Sequence, residues 1–138
     1  MRCQLITISV LSCIFFALTG FGVAVGANEP AFVKVVVLVN NTGGGTAQPS
    51  DFLVQLGLGY GSADPWSFDG SSKGTVSHVP PGTLPIHVSR NTQIENIPYS
   101  IQFSGDCVGK SEFAAGQIAI SPGDKKTCII SAIYPNFD

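Results

Sequence analysis

Cys107 and Cys128 stand near the end of a 138-residue chain, separated by "VGKSEFAAGQIAISPGDKKT". Two thiols so placed could form a disulfide, hold a metal or work as a reactive pair. Neither lies in a C-x-x-C, and the other two cysteines, Cys3 and Cys13, fall in an apolar leader. A zinc site would therefore have to borrow His78 and His87. An even pair in an oxidising compartment most simply joins. The loop it closes has about 20 residues, and the link is worth ~3 kcal/mol on the chain-entropy estimate.

His78 and His87 flank Pro80-Pro81-Gly82, the first beside Val79 and the second between Ile86 and Val88, apolar residues that point the other way. This reads as two polar residues facing solvent from neighbouring strands rather than a metal pair. A blue-copper site needs two histidines, a thiolate and a weak axial ligand such as Met. The sole methionine is Met1 and no histidine follows Cys128, so copper is not expected. No Gly-x-Ser-x-Gly turn presents a serine nucleophile. The chain reads as non-enzymatic, with no metal and no cofactor.

Three further groups carry chemistry. Asn40-Asn41-Thr42 is an Asn-x-Thr acceptor for N-linked sugar at Asn40. Gly43-Gly44-Gly45 lacks the Lys-Ser/Thr of a phosphate loop and reads as a flexible turn. Trp66 and Phe68 lie in a polar loop, where large rings serve as ligand contacts, with Tyr60 and Tyr99 as further aromatics. The competing reading is that they fold back to cap an open end of the domain.

The compartment follows from residues 1–27. Arg2 precedes an uncharged run to Asn28, with an apolar centre from Leu5 to Leu18 and the small residues Val25-Gly26-Ala27. This is a secretory signal, cut after Ala27 or, as second choice, after Ala24. The run is also long enough for an uncleaved membrane anchor, and Val10-Leu11-Ser12-Cys13 loosely resembles a lipoprotein box. All three readings place residues 28–138, a single domain, outside the cytoplasm: secreted or at the cell surface. The chain has seven Lys and Arg, hence six without Arg2, against nine Asp and Glu. No basic patch exists, so nucleic acid is not an expected partner. Other surface proteins or glycans are, and a membrane only through residues 1–27 if they are retained.

These groups need elements to hold them. "AFVKVVVLVNN" alternates with Val33, Val35, Val37 and Val39 on one face. Its other face is also largely apolar, which predicts a strand covered on both sides or central in its sheet. "DFLVQLGLGY", "TVSHV", "TLPIHVS", "YSIQFS", "GQIAIS" and "KKTCIISAIY" follow, with Gly- and Pro-rich turns between them. Pro85 points to an edge or bulge. Seven short strands and no helical period predict an all-β, two-sheet β-sandwich.

The ordered motifs "NNTGGGTAQPSDF", "PPGTLPIHV", "YSIQFSGDC" and "GQIAISPGDKKTCII" resemble the prealbumin-like (transthyretin-like) sandwich domains of prokaryotic surface proteins. These domains are related to the B-type repeats of collagen adhesins. The resemblance covers residues 31–133. It implies a seven-stranded immunoglobulin-like fold used as stalk, spacer or adhesive module. Many such relatives carry a Lys–Asn isopeptide bond helped by a buried acid. Motif alignment puts Val36, Ala132 and Val88 at those positions, with Lys34 two residues away, so the resemblance implies the fold without that crosslink. Purine-derivative hydrolases of the transthyretin fold end in Tyr-Arg-Gly-Ser, which this chain lacks.

Overall fold

The computed structural model describes residues 29–57, 66–90, 99–110 and 114–136. The expected leader at residues 1–27 lies outside the described residues, as does Tyr60. Nine strands are described: β1 (Ala31–Asn40), β2 (Phe52–Leu56), β3 (Ser67–Asp69), β4 (Thr75–Val79), β5 (Gly82–Arg90), β6 (Ser100–Gly105), β7 (Cys107–Gly109), β8 (Ala115–Ile120) and β9 (Lys125–Ile133). A single 3-10 turn, Pro49–Asp51, precedes β2. The described residues contain no α-helix and no helix that could cross a membrane.

The count of seven needs correcting. Every expected strand is present, and β3 and β7 are added. Each addition is three residues long, too short for an alternation to register in the sequence. β3 holds Phe68 against Val54 of β2, so Phe68 belongs to a strand rather than a loop.

Two sheets form, ordered β4-β1-β9-β6 and β3-β2-β5-β8-β7. β1 and β9 run parallel through nine register pairs, from Phe32 opposite Lys125 to Asn40 opposite Ile133. All other pairings are antiparallel. The alternation in each strand selects its inward face. Val33, Val35 and Val37 of β1, Phe52, Val54 and Leu56 of β2, and Leu84, Ile86 and Val88 of β5 are buried. With Ile118, Ile130 and Ala132 they belong to one hydrophobic cluster fed by both sheets. Burying each such side chain contributes about 1.5–3 kcal/mol.

β1 is central in its sheet, as its composition predicts. Its outer face is not covered by any described element, and Leu38 stays 45% exposed. Pro85 lies inside β5, which has neighbours on both sides, so the expected edge is only local. Its carbonyl accepts from Gly57 N just past the last residue of β2, so the absent N–H falls where β2 stops.

The Ser121–Asp124 turn joins β8 to β9. Asp124 Oδ2 accepts from Ser121 N at 2.8 Å and lies 3.3 Å from Lys126 Nζ. The Ser121 N–H, and secondarily Lys126, hold this carboxyl below its usual range. The Asp124 carbonyl in turn accepts from Phe32 N and so ties the turn to the start of β1.

The chain crosses between sheets at Gly105-Asp106. Gly105 has φ +78°, and a Cβ there would meet the Thr127 carbonyl oxygen at 2.5 Å. Asp106 closes the corner. Its N–H donates to Thr127 O, and its Oδ2 accepts from Thr127 N, both at 2.8 Å. One residue later, Cys107 of β7 is bonded to Cys128 of β9, with 5.2 Å between their Cα atoms. The disulfide joins the second sheet to the first, and both cysteines are buried. Replacing both by Ala should cost ~3 kcal/mol. For a domain of this size that is a melting temperature lower by roughly 15 °C, read by thermal denaturation. A loss below ~1 kcal/mol would show that the sheets hold together without the bond.

Candidate functional site

Trp66 is fixed by both sheets. Leu56 N of β2 donates to its carbonyl at 3.2 Å, and its indole Nε1 donates to the His78 carbonyl of β4 at 2.9 Å. The ring packs on the edge of the core and lies over Gly57, where a Cβ would come within 3.4 Å of it. Gly57 has φ +102°, a conformation that glycine adopts without strain. Trp66 therefore caps the cluster and bridges the sheets. Beside it opens a groove of about 420 Å³, lined by Glu29, Pro30, Trp66, His78, Pro80 and Pro81, among others. Phe68, the other expected ligand contact, packs against the core from β3.

His78 and His87 do not share a sheet. His78 is on β4 of the first sheet, exposed, with its ring 5.4 Å from that of Phe32. His87 is on β5 of the second sheet, half-buried, opposite Gln55 and Ala115. The expectation of neighbouring strands fails because the Pro80-Pro81 link carries the chain from one sheet to the other instead of making a hairpin. Among the described residues no three His, Cys, Asp or Glu side chains form a group suited to a metal ion.

The loop after β1 is built differently from the flexible turn expected of three glycines. Tyr99 Oη donates to Asn41 Oδ1 at 3.0 Å, Asn41 Nδ2 donates to the Ala47 carbonyl at 2.9 Å, and Ala47 N donates to Tyr99 Oη at 3.2 Å. The three groups close a ring of hydrogen bonds, with Ala47 buried. The Tyr99 ring stands edge-on to Phe52 and Tyr134, at 5.5 and 5.2 Å, with the Arg90 guanidinium 5.0 Å above it. Gly45 faces the Tyr99 hydroxyl and the Tyr134 ring so closely that a Cβ would overlap both, and Gly43 faces Tyr134 and Pro135 likewise. These glycines allow close packing. Sequence reasoning missed this arrangement because its parts lie more than fifty positions apart (Tyr99 and Asn41 by 58).

Asn40 is exposed at the last position of β1. Its Oδ1 accepts from Thr42 N at 3.0 Å and from Thr42 Oγ1 at 2.8 Å. The three positions named for an internal crosslink do not meet. Val36 faces outward from the first sheet, whereas Val88 and Ala132 are in the core. Lys34 is exposed on the same outer face as Val36, beside Val76, Lys125 and Lys126.

No family model and no curated protein matches this chain. Two solved structures resemble it in fold. Both are of a bacterial adhesin from Mobiluncus mulieris containing intramolecular disulfide, isopeptide and ester bond cross-links, in space groups P1 and P21. The TM-scores are 0.53 and 0.51, at 12% and 14% identity. The match covers 76% of this chain and 41% of the adhesin chain in each case, so the chain spans less than half of that protein's length. At such identity the likeness concerns the fold alone.

Tyr99→Phe removes the hydroxyl and leaves the buried Ala47 N–H without its acceptor. It should cost about 1–3 kcal/mol in chemical denaturation. Loss of amide protection at Ala47 and Gly44 should accompany it in hydrogen exchange, while the β5–β8 ladder stays protected. Unchanged protection in the loop would mean that the hydroxyl does not order it.

Proposed function

We propose that this chain is a non-enzymatic, extracytoplasmic β-sandwich module of the immunoglobulin-like, prealbumin-like kind, serving a structural or adhesive role at the cell surface. The parallel pairing of β1 with β9 carries this reading. The chain enters β1 at Ala31 and leaves β9 at Ile133, at opposite ends of one nine-pair ladder. Tension applied through the entering and leaving chain therefore runs along the strands. It loads the ladder's evenly spaced bonds together instead of opening them one by one. The adhesin fold likeness supports the role, and a buried disulfide supports a place outside the reducing cytoplasm.

The disulfide adds a second element to the same device. Its 21-residue separation shields the segment between Cys107 and Cys128 from extension, because force crosses from one sulfur to the other. Stretching single molecules by both ends should thus give an unfolding length about 70 Å shorter when oxidised than when reduced, at ~3.6 Å per residue. Unfolding should need a single high-force event. Successive low-force steps overturn the mechanical role of the ladder, and a length unaffected by reductant overturns the shielding by the disulfide.

The groove beside Trp66 favours a second reading, a glycan- or protein-binding module using Trp66 and its loop. Trp66→Ala separates the two. Because the indole bridges the sheets, the expected result is a stability loss of about 2–3 kcal/mol with cell and glycan binding unchanged. Lost binding at unaltered melting temperature decides for the binding module instead.

A further inference from the structure

We propose that Asn40 carries an N-linked oligosaccharide, and that this sugar lies over the outward apolar face of the first sheet. Two independent observations converge on the same face. The first is the acceptor. Both donors of Thr42 are directed at Asn40 Oδ1, which leaves Nδ2 as the group turned to solvent, with no hydrogen-bond partner among the described residues. The Asn40 backbone is held by Tyr134 N, which donates to its carbonyl at 2.9 Å, so the acceptor stands on a fixed strand end. Its neighbour Asn41 is occupied in the Tyr99 ring of hydrogen bonds.

The second observation is the uncovered surface. Strand alternation places Asn40 on the same side as Phe32, Lys34, Val36 and Leu38. Leu38 is 45% exposed and Val76 on the adjoining β4 is 61% exposed. Leu38 lies about 7 Å from Asn40 along the strand and Val36 about 14 Å. The first sugars of a chain attached at Asn40 reach both. Their C–H faces pack on aliphatic side chains while their hydroxyls stay in water. The sugar thus covers the apolar side chains next to its attachment point, while Lys34, Lys125 and Lys126 stay in water at the far end of the same face.

The transfer takes its sugar from a lipid-linked oligosaccharyl pyrophosphate, through a membrane-bound transferase. Asn40 Nδ2 attacks the anomeric carbon, forming the C–N bond as the carbon–oxygen bond to the pyrophosphate breaks. The lipid pyrophosphate leaves with the electron pair, and an Nδ2 proton passes to a transferase base.

The proposal rests on the export reading, and one experiment distinguishes the failure of each. Protein purified from its native source is measured intact and as peptides by mass spectrometry. The expected result is a chain lacking residues 1–27 whose Asn40 peptide carries hexose and N-acetylhexosamine increments. Asn40→Gln and Thr42→Ala should lose the increments, and Thr42→Ser should keep them. Both unglycosylated variants should bind more of a hydrophobic dye than the native form. A processed chain with bare Asn40 overturns the glycan alone. An unprocessed, bare chain in the cytosol overturns export as well. Equal dye binding by glycosylated and unglycosylated protein overturns the covering of the apolar face.

Discussion

The parallel pairing of β1 with β9 is the constraint from which the rest of the molecule follows. It sets Val35 beside Cys128 and Val37 beside Ile130, so both strands turn their buried residues to the same side. It brings Asn40 next to Ile133, and the Asn40 carbonyl then receives the Tyr134 N–H. That contact delivers Tyr134 to the glycine loop. Parallel strands cannot be joined by a tight hairpin, so everything between β1 and β9 is their long connection. Such non-local pairing is slow to form because loop closure precedes any reward.

Between the sheets, three ties of different chemistry supplement the shared hydrophobic cluster. The disulfide joins β7 to β9 beside the Gly105-Asp106 corner. The Trp66 indole joins the β2 side to β4 through the His78 carbonyl. Tyr99, immediately before β6, reaches the loop that follows β1 and packs edge-on to Phe52 of β2. A small domain has a modest core, so fixed polar and covalent links at its margins carry a large share of net stability. None of the three resembles a reactive centre, since each donor or thiol is already committed to a structural partner.

The glycines show how composition can mislead about rigidity. Three in a row imply freedom when read locally. In the folded chain, two of them lie so close to the Tyr134 ring, and Gly45 also to the Tyr99 hydroxyl, that a Cβ would not fit. Of these three, Gly44 alone takes a positive φ in open space. The loop between β1 and β2 is thus a packed element, and its polar side chains divide into Asn41, turned inward, and Asn40, turned outward.

The sequence by itself determined which residues face the core. Alternation is a local property of each strand, and Val33, Val54 and Ile86 could be read without knowing their neighbours. It also pointed to the cysteine pair, since the expected leader takes Cys3 and Cys13 and leaves Cys107 and Cys128 only each other. It could not determine which strands pair, that β3 and β7 exist, or that His78 and His87 part company. The direction of Trp66 and the packing under Tyr99 were equally hidden. Strand pairing is made by backbone groups, which are the same for every residue, and its partners are distant along the chain. Only the tertiary structure chooses among the pairings that share one alternation pattern, because only there do both faces, the turns and the sulfur bridge have to be satisfied at once.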